Sequence, residues 1–416
     1  MVLGNTISDK LANNHRGIDY FSWFVSIYLI NIPFIGFNNK FSAWLGFDSN
    51  YLTYAYYGVL WLLLIISFRR LFPKIRSSFL LFVLISLLFI ICNILIYPEN
   101  RIYITGDFFK NIPTFSATCI LSSMIFLWIG ACVTDYSSLR KKFHIASRIG
   151  IIFAVLSDII ALFILQEKYY DDMSFGYGVC LVTCDALFEY LQGRKKTDLI
   201  FSLVGIISIL ISGTRGPVLC VMILFVLWTF IYQKEVKYRV EAIVGCIVLV
   251  LLNYLGVFYR LLEKLSLFLQ SIGIQDNRIM NMLFSGEIWD SSGRDDIFST
   301  IWEAIMQRPM LGYGIGGDRL LLQNNSYVHN IILELFCDFG IIFGSIIFIY
   351  LMRLFIKSIL EKNSDFSGVC LIIFSVTVLK LMMSSSYIIS PILFLLIGMC
   401  LNHIPEKASL SEVEKE

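Results

Sequence analysis

The chain is built from a succession of apolar runs, each close to the length needed to cross a lipid bilayer and separated by polar connections. A span takes about 20 residues. Candidate spans fall at 20–37, 51–68, 79–97, 113–134, 146–166, 174–192, 198–213, 216–233, 239–259, 328–352, 367–386 and 388–403. In hydrocarbon the backbone must satisfy its own hydrogen bonds, so runs of this length fold as helices. The expected fold is all-α, a polytopic transmembrane helical bundle of about 12 spans. Only 15% of the 416 residues are charged and 57% are hydrophobic, against about 25% charged in soluble domains. A water-soluble globular enzyme is excluded.

Orientation follows from the basic residues, which short cytoplasmic loops retain. With twelve spans, one side collects Arg69, Arg70, Lys74, Arg76, Arg140, Lys141 and Lys142 together with most other lysines and arginines; the short connections opposite hold only Lys40, Arg101, Lys110, Lys168 and Arg215. Both termini are expected on the cytoplasmic side. The first 19 residues have no apolar core or small-residue cleavage site of a removable signal peptide. Net charge is +2, and no basic block interleaved with aromatics suggests nucleic acid as a partner. All ten cysteines sit in apolar runs without a CxxC pair, which reads as small buried hydrophobes.

The organisation expected is a transmembrane part at 1–259, a large external loop at 260–327, a second transmembrane part at 328–403 and a cytoplasmic tail at 404–416. A loop of that size inside a compact fold is usually functional. Within it, 260–271 is amphipathic enough to lie along the membrane surface. A helix is expected over 294–307, with Ile297, Phe298, Ile301, Trp302 and Ile305 as its apolar stripe, Ser291 or Ser292 as cap and Pro309 as stop. LGYGIGGD (311–318) reads as a flexible turn with four glycines. No internal repeat of the kind that builds many transporters is present.

His329 is the one histidine of four that falls at the external face. On a helix it would be followed by a polar row of Asn330, Glu334 and Asp338. Read on spacing alone, such a histidine more often serves packing than chemistry. Arg215, in ISGTRGPVL at a tight external turn, offers a planar fork to phosphate or carboxylate; the alternative is a guanidinium reaching to the lipid headgroups. Arg294 opens the loop helix, and Arg278, Arg308 and Arg319 are further external cations. Solvated singly, they would form a diphosphate-binding cluster if they converged. Asp158, Asp185, Glu189 and Lys380 lie within apolar runs, where internal pairing of Lys380 with a carboxylate is favoured over a proton relay. GYGIGG follows a helix and a proline with no βαβ pattern, so it is no dinucleotide fingerprint. No pattern for a metal or another cofactor is found.

Three stretches in order, SGTRGPVL (212–219), GRDDIFSTIWEAIMQRPMLGYGIG (293–316) and HNIILELFCDFGIIFGSI (329–346), resemble the O-antigen polymerase and O-antigen ligase superfamily. The resemblance covers roughly residues 198–350 through order, spacing and topology; the first 190 residues match only as hydrophobic spans. It implies a GT-C-like glycosyltransferase of the bacterial inner membrane, its large loop and active site facing the periplasm. Its substrates would be oligosaccharide and polysaccharide linked to undecaprenyl diphosphate, with membrane lipid around it, a chain-length regulator as a further partner left open, and no metal or cofactor. Carried over by position, His329 would activate or orient the acceptor hydroxyl, and Arg215 and Arg294 would bind the lipid diphosphate. Glu334, Asn330, Arg278, Arg308 and Arg319 would support them. Gly340 is followed three positions on by Phe343, with Gly344 next, a departure from the ligase pattern that favours a polymerase. A ligase, or a repeat-unit flippase using the intramembrane charges, are the competing expectations.

Overall fold

In a computed structural model the described residues are 20–167, 173–233, 294–322 and 327–403, with single positions between 235 and 267. They form helices and no strand. In chain order these are α1 (Tyr20–Leu29), α2 (Asn31–Leu45), α3 (Asn50–Ile66), α4 (Ser77–Ile96), α5 (Ile120–Ala131), α6 (Tyr136–Ile159), α7 (Met173–Gly193), α8 (Lys196–Ile211), α9 (Arg215–Tyr232), α10 (Arg294–Gln307), α11 (Gly317–Leu322), α12 (Ile331–Ile359), α13 (Ser364–Met383) and α14 (Pro391–Asn402). Short helical turns at Arg101–Thr105 and Phe108–Asn111 join α4 to α5.

Among the described residues five helices are long and apolar enough to cross a membrane: α4, α6 with its continuation to Ile164, α9, α12 and α13. The pair α1 and α2, bent by 60°, makes a sixth if counted as one broken span. This is fewer than the twelve runs read from the sequence. α3, α5 and α14 are apolar but shorter, and α7 carries Asp185 and Glu189. The run at 239–259 lies outside the described residues from 241 on, as does nearly all of 260–293, including most of the amphipathic stretch, the cap serines and Arg278.

The chain divides into two compact units, the first drawn from Met1–Val25, Tyr57–Lys141 and Ser291–Glu416, the second from Ser26–Tyr56 and Lys142–Asp290. In the second, α7 is the central helix, with Phe175, Val179, Cys180, Val182, Cys184 and Phe188 all buried. Its polar positions have partners: Asp185 Oδ2 lies 3.1 Å from His144 Nδ1, and His144 Nε2 lies 3.2 Å from Asp198, which also pairs with Arg148 at 2.5 Å. Asp158 accepts a hydrogen bond from Ser208 at 2.5 Å. Charges in apolar surroundings are retained when paired in this way.

In the first unit α5 and α14 cross with their backbones in contact, because Gly130 faces the Leu395 carbonyl and Gly398 faces the Leu127 carbonyl. Small residues permit such close approach between apolar helices. The predicted loop helix is α10, and it ends at Gln307, just ahead of Pro309. Its buried side is Ile301, Ala304 and Ile305, packed with Val328 and Cys337 and flanked by Phe298, Tyr313 and Phe336. Trp302, expected on that stripe, lies off it and is 45% exposed.

Two further features differ from the sequence reading. The tenth run begins as a helix at Ile331, not 328, and is broken at Gly340, where φ is 77° and ψ 166°. The glycine-rich segment is not a flexible turn. Gly312, Gly314 and Gly316 adopt left-handed φ of 65°, 80° and 79°, and the segment docks on the break. Tyr313 N donates to the Cys337 carbonyl at 2.7 Å, Gly314 N to the Asp338 carbonyl at 2.9 Å, and Ile341 N to the Pro309 carbonyl at 2.8 Å. A Cβ on Gly340 would sit 2.5 Å from the Met310 carbonyl carbon. Gly340→Ala therefore combines left-handed strain with overlap, and should cost about 2–4 kcal/mol, read as a lowered midpoint of thermal unfolding of the purified chain.

Candidate active site

The first unit gathers several of the residues singled out in the sequence around the C-terminal end of α13. Asn330 is the N-cap of α12: its Oδ1 accepts from the backbone N–H of Ile332 at 3.0 Å and Leu333 at 3.2 Å. It is thus not part of the expected polar row, because its side chain satisfies the orphan donors of the first turn. Its Nδ2 donates to the Met382 carbonyl at 3.5 Å. One residue further along α13, the Met383 carbonyl accepts from Arg294 Nη1. A cation here complements the partial negative charge of a helix C-terminus.

His329 precedes the cap in a left-handed conformation, φ 60°, which is uncommon for a residue with a side chain. Its ring meets Tyr327 at a centroid distance of 4.3 Å, and Tyr327 OH lies 3.4 Å from the Ser384 carbonyl. Burial and then the positive charge of Arg294 lower the His329 pKa from its ordinary 6.5, partly offset by a hydrogen bond to the Ser384 backbone. The imidazole is therefore favoured neutral, and its buried Nδ1 has no hydrogen-bond partner among the described residues.

Glu334 and Asp338 share one face of α12 as expected, and both are buried. They meet the loop between α13 and α14. Ser386 Oγ donates to Glu334 Oε1, Tyr387 N donates to Glu334 Oε2 at 3.1 Å, and Tyr387 OH donates to Asp338 Oδ2 at 2.6 Å. Arg319, expected as an external cation, is 7% exposed. Its Nη2 donates to Ser386 Oγ at 2.8 Å, its Nη1 lies 3.9 Å from Asp318, and its guanidinium stands over the rings of Tyr103 and Tyr327 at 5.3 and 5.8 Å. Burial raises the Asp318 pKa, with Arg319 opposing. Burial, then the neighbouring Asp338 and Glu334, raise that of Tyr387, so its phenol stays protonated and able to donate.

Arg308 is exposed and stacks over Tyr313 at 4.8 Å. Arg215 belongs to the second unit, where it opens α9. The turn before it is packed hard: Gly213 has φ 71°, Ser212 and Thr214 crowd the α carbon of Gly176, and Gly216 abuts the Tyr177 hydroxyl. Sequence reasoning missed Ser384, Ser386, Tyr387 and Tyr327. The only signal was the polar run SSSYIIS at 384–390 between two nearly continuous apolar runs.

The fold and this site define a multi-pass helical membrane protein with a polar, histidine- and arginine-bearing site at the end of an apolar helix. Residues 200–349 match the O-antigen ligase family. The match covers this segment alone, which is thus similar to a family whose members are glycosyltransferase-like enzymes. The match ends nine residues beyond Gly340 and takes in Arg215, Arg294 and His329. No curated protein and no solved structure matches the chain significantly.

Asn330 separates capping from chemistry. Asn330→Ala should lose about 1 kcal/mol of stability and Asn330→Ser most of that loss should spare, as read by thermal unfolding of the two variants side by side.

Proposed function

We propose that the chain is a polymerase of O-antigen or a related surface polysaccharide, working at the periplasmic face of the bacterial inner membrane with both termini cytoplasmic. It transfers a growing glycan from undecaprenyl diphosphate to a hydroxyl of a lipid-linked repeat unit. The observation that carries this reading is the pairing of His329 with Arg294 on the end of α13: a ring kept neutral by burial and by an adjacent cation, inside a segment of the O-antigen ligase family.

In the step proposed, His329 takes the proton of the acceptor hydroxyl as its oxygen bonds to the anomeric carbon of the donor. The bond from that carbon to the diphosphate oxygen breaks, and the diphosphate leaves with its charge stabilised by Arg294; for Arg215, in the other unit, the same role rests on the family resemblance alone. Arg278 and Arg308 support binding from the loop, Asn330 holds the start of α12, and Glu334 and Arg319 act from beneath. The parts 1–259 and 328–403 would be the membrane-embedded body and 260–327 the periplasmic loop that meets the glycan.

The family's name supplies a second reading, an O-antigen ligase that moves finished polysaccharide onto lipid A-core. Deleting the gene distinguishes the two. Loss of a polymerase leaves lipopolysaccharide with a single repeat unit, whereas loss of a ligase leaves none attached.

His329→Ala should lower transfer by about 100- to 10,000-fold, measured on purified protein with an undecaprenyl-diphosphate-linked oligosaccharide. Because the ring must be neutral to accept the proton and its pKa lies below 6.5, the acid limb of kcat/KM should fall below pH 6.5. Arg294→Gln removes the charge that disfavours the imidazolium, so the residual activity should show that limb moved to higher pH, while Arg294→Lys leaves it in place. An unmoved limb in Arg294→Gln would remove His329 as the titrating base.

A further inference from the structure

The loop Ser384–Ser390 joins two sets of contacts in the first unit. Upstream, three consecutive backbone positions meet the two residues assigned to chemistry and their neighbours: Met382 accepts from the cap residue Asn330, Met383 from Arg294, and Ser384 bonds His329 and accepts from Tyr327, on which the His329 ring rests. Two residues downstream, Ser386 and Tyr387 are tied to Glu334, Asp338 and Arg319.

The hydrogen bonding at Ser386 leaves no slack. Its one proton goes to Glu334, and its oxygen accepts from Arg319 at 2.8 Å and from Ile388 N at 3.2 Å. A hydroxyl has one donor and two acceptor sites, so all are engaged. Tyr387 is likewise fixed at both its backbone N–H and its phenol. Burying carboxylates and a guanidinium in place of apolar side chains is a poor way to gain stability. Arg319 Nη1 and Asp338 Oδ1 have no hydrogen-bond partner among the described residues, yet a network whose central hydroxyl is engaged at every site still fixes one geometry there, and sites that need defined positions are supported by such shells.

We propose that Arg319, Glu334, Ser386 and Tyr387 form a positioning brace that sets the Met382–Ser384 carbonyls and through them the placement of His329 and Arg294. Arg319, buried and committed to Ser386, is then a brace residue and not a ligand of the diphosphate. The inference rests on the reading of His329 as proton acceptor and Arg294 as diphosphate ligand.

The test uses the full chain in lipid nanodiscs with an undecaprenyl-diphosphate-linked oligosaccharide, comparing Ser386→Ala and Tyr387→Phe with the unaltered protein. Both should keep helix content by circular dichroism and a KM for the oligosaccharide within about twofold. Their kcat should fall about 10- to 100-fold, as expected for misplaced reacting groups. Losing the Ser384 bond to His329 disfavours the imidazolium, so the acid limb should also move to lower pH. A raised KM with unchanged kcat, or a loss matching the unfolded fraction with the limb in place, overturns the brace. Should Ser386→Ala fail to fold, Tyr387→Phe, which lacks a single hydroxyl, decides on the same readouts. If His329→Ala transfers as well as the unaltered protein, the functional reading fails. If His329→Ala is inactive while Ser386→Ala and Tyr387→Phe keep kcat and limb, only the brace fails.

Discussion

The break in α12 at Gly340 sets the terms for everything around it. A continuous helix would satisfy the Cys337 and Asp338 carbonyls and the Ile341 N–H within itself; interrupting it exposes three backbone groups in surroundings where each unpaired one costs several kcal/mol. Pro309, Tyr313 and Gly314 supply all three partners. That exchange dictates the glycine pattern of LGYGIGGD, because the segment must lie backbone against backbone: a Cβ on Gly312 would sit 2.5 Å from the Cys337 carbonyl oxygen. It also fixes α11, whose Asp318 accepts from Val328 N at 3.2 Å just before His329. The left-handed backbone of His329 is held between that bond and the Asn330 cap, so the strain there is sustained by its neighbours.

Further contacts seat the same segment on the end of α4. Tyr97 OH donates to the Gly312 carbonyl at 3.1 Å, and Asn100 Nδ2 to the Tyr313 carbonyl at 2.8 Å. The polar side chains beyond the last turn of a strongly apolar helix thus have a definite task. They receive the loop that repairs the break, and Tyr103 next to them lies under the Arg319 guanidinium. The cation–π contact adds to the neighbouring Asp318 carboxylate in making a buried arginine tolerable.

Much of the fold was legible because bilayer length and apolar runs are a strong signal: α4, α9 and α13 fall close to the runs read from the sequence, and α10 matches its predicted stretch. The departures share a cause. α5 is shorter than its run at 113–134 because Pro113 to Cys119, a mix of apolar and hydroxyl residues, is not helical, and hydropathy does not register backbone conformation. The same blindness hid the Gly340 break inside an unbroken apolar run and misread a docked glycine segment as flexible. In the site, His329 and Arg294 were visible as scarce charge on the face that the loop charges mark as external. The brace was not, because Ser386 and Tyr387 carry no charge and their partners are 52 and 49 positions away in sequence. Asn330 was visible but assigned the wrong work, since a helix that starts three residues later turns a row member into a cap.

The placement of Arg294 beside His329 carries an electrostatic consequence for the proposed transfer. Free of substrate, the guanidinium charge adds to burial in disfavouring protonation of the ring, so a neutral imidazole is waiting before the donor arrives. A diphosphate seated on Arg294 would counter that charge, and an adjacent anion raises the proton affinity of a histidine. The ring would then become a better base only when the leaving group is in place, coupling acceptor activation to donor binding. Such coupling limits wasteful loss of the lipid-linked glycan to water, because a hydroxyl approaching without a correctly bound donor meets a weaker base. The same argument explains why an arginine suits position 294 better than a lysine, its fork being able to keep one arm on the Met383 carbonyl while the other meets phosphate.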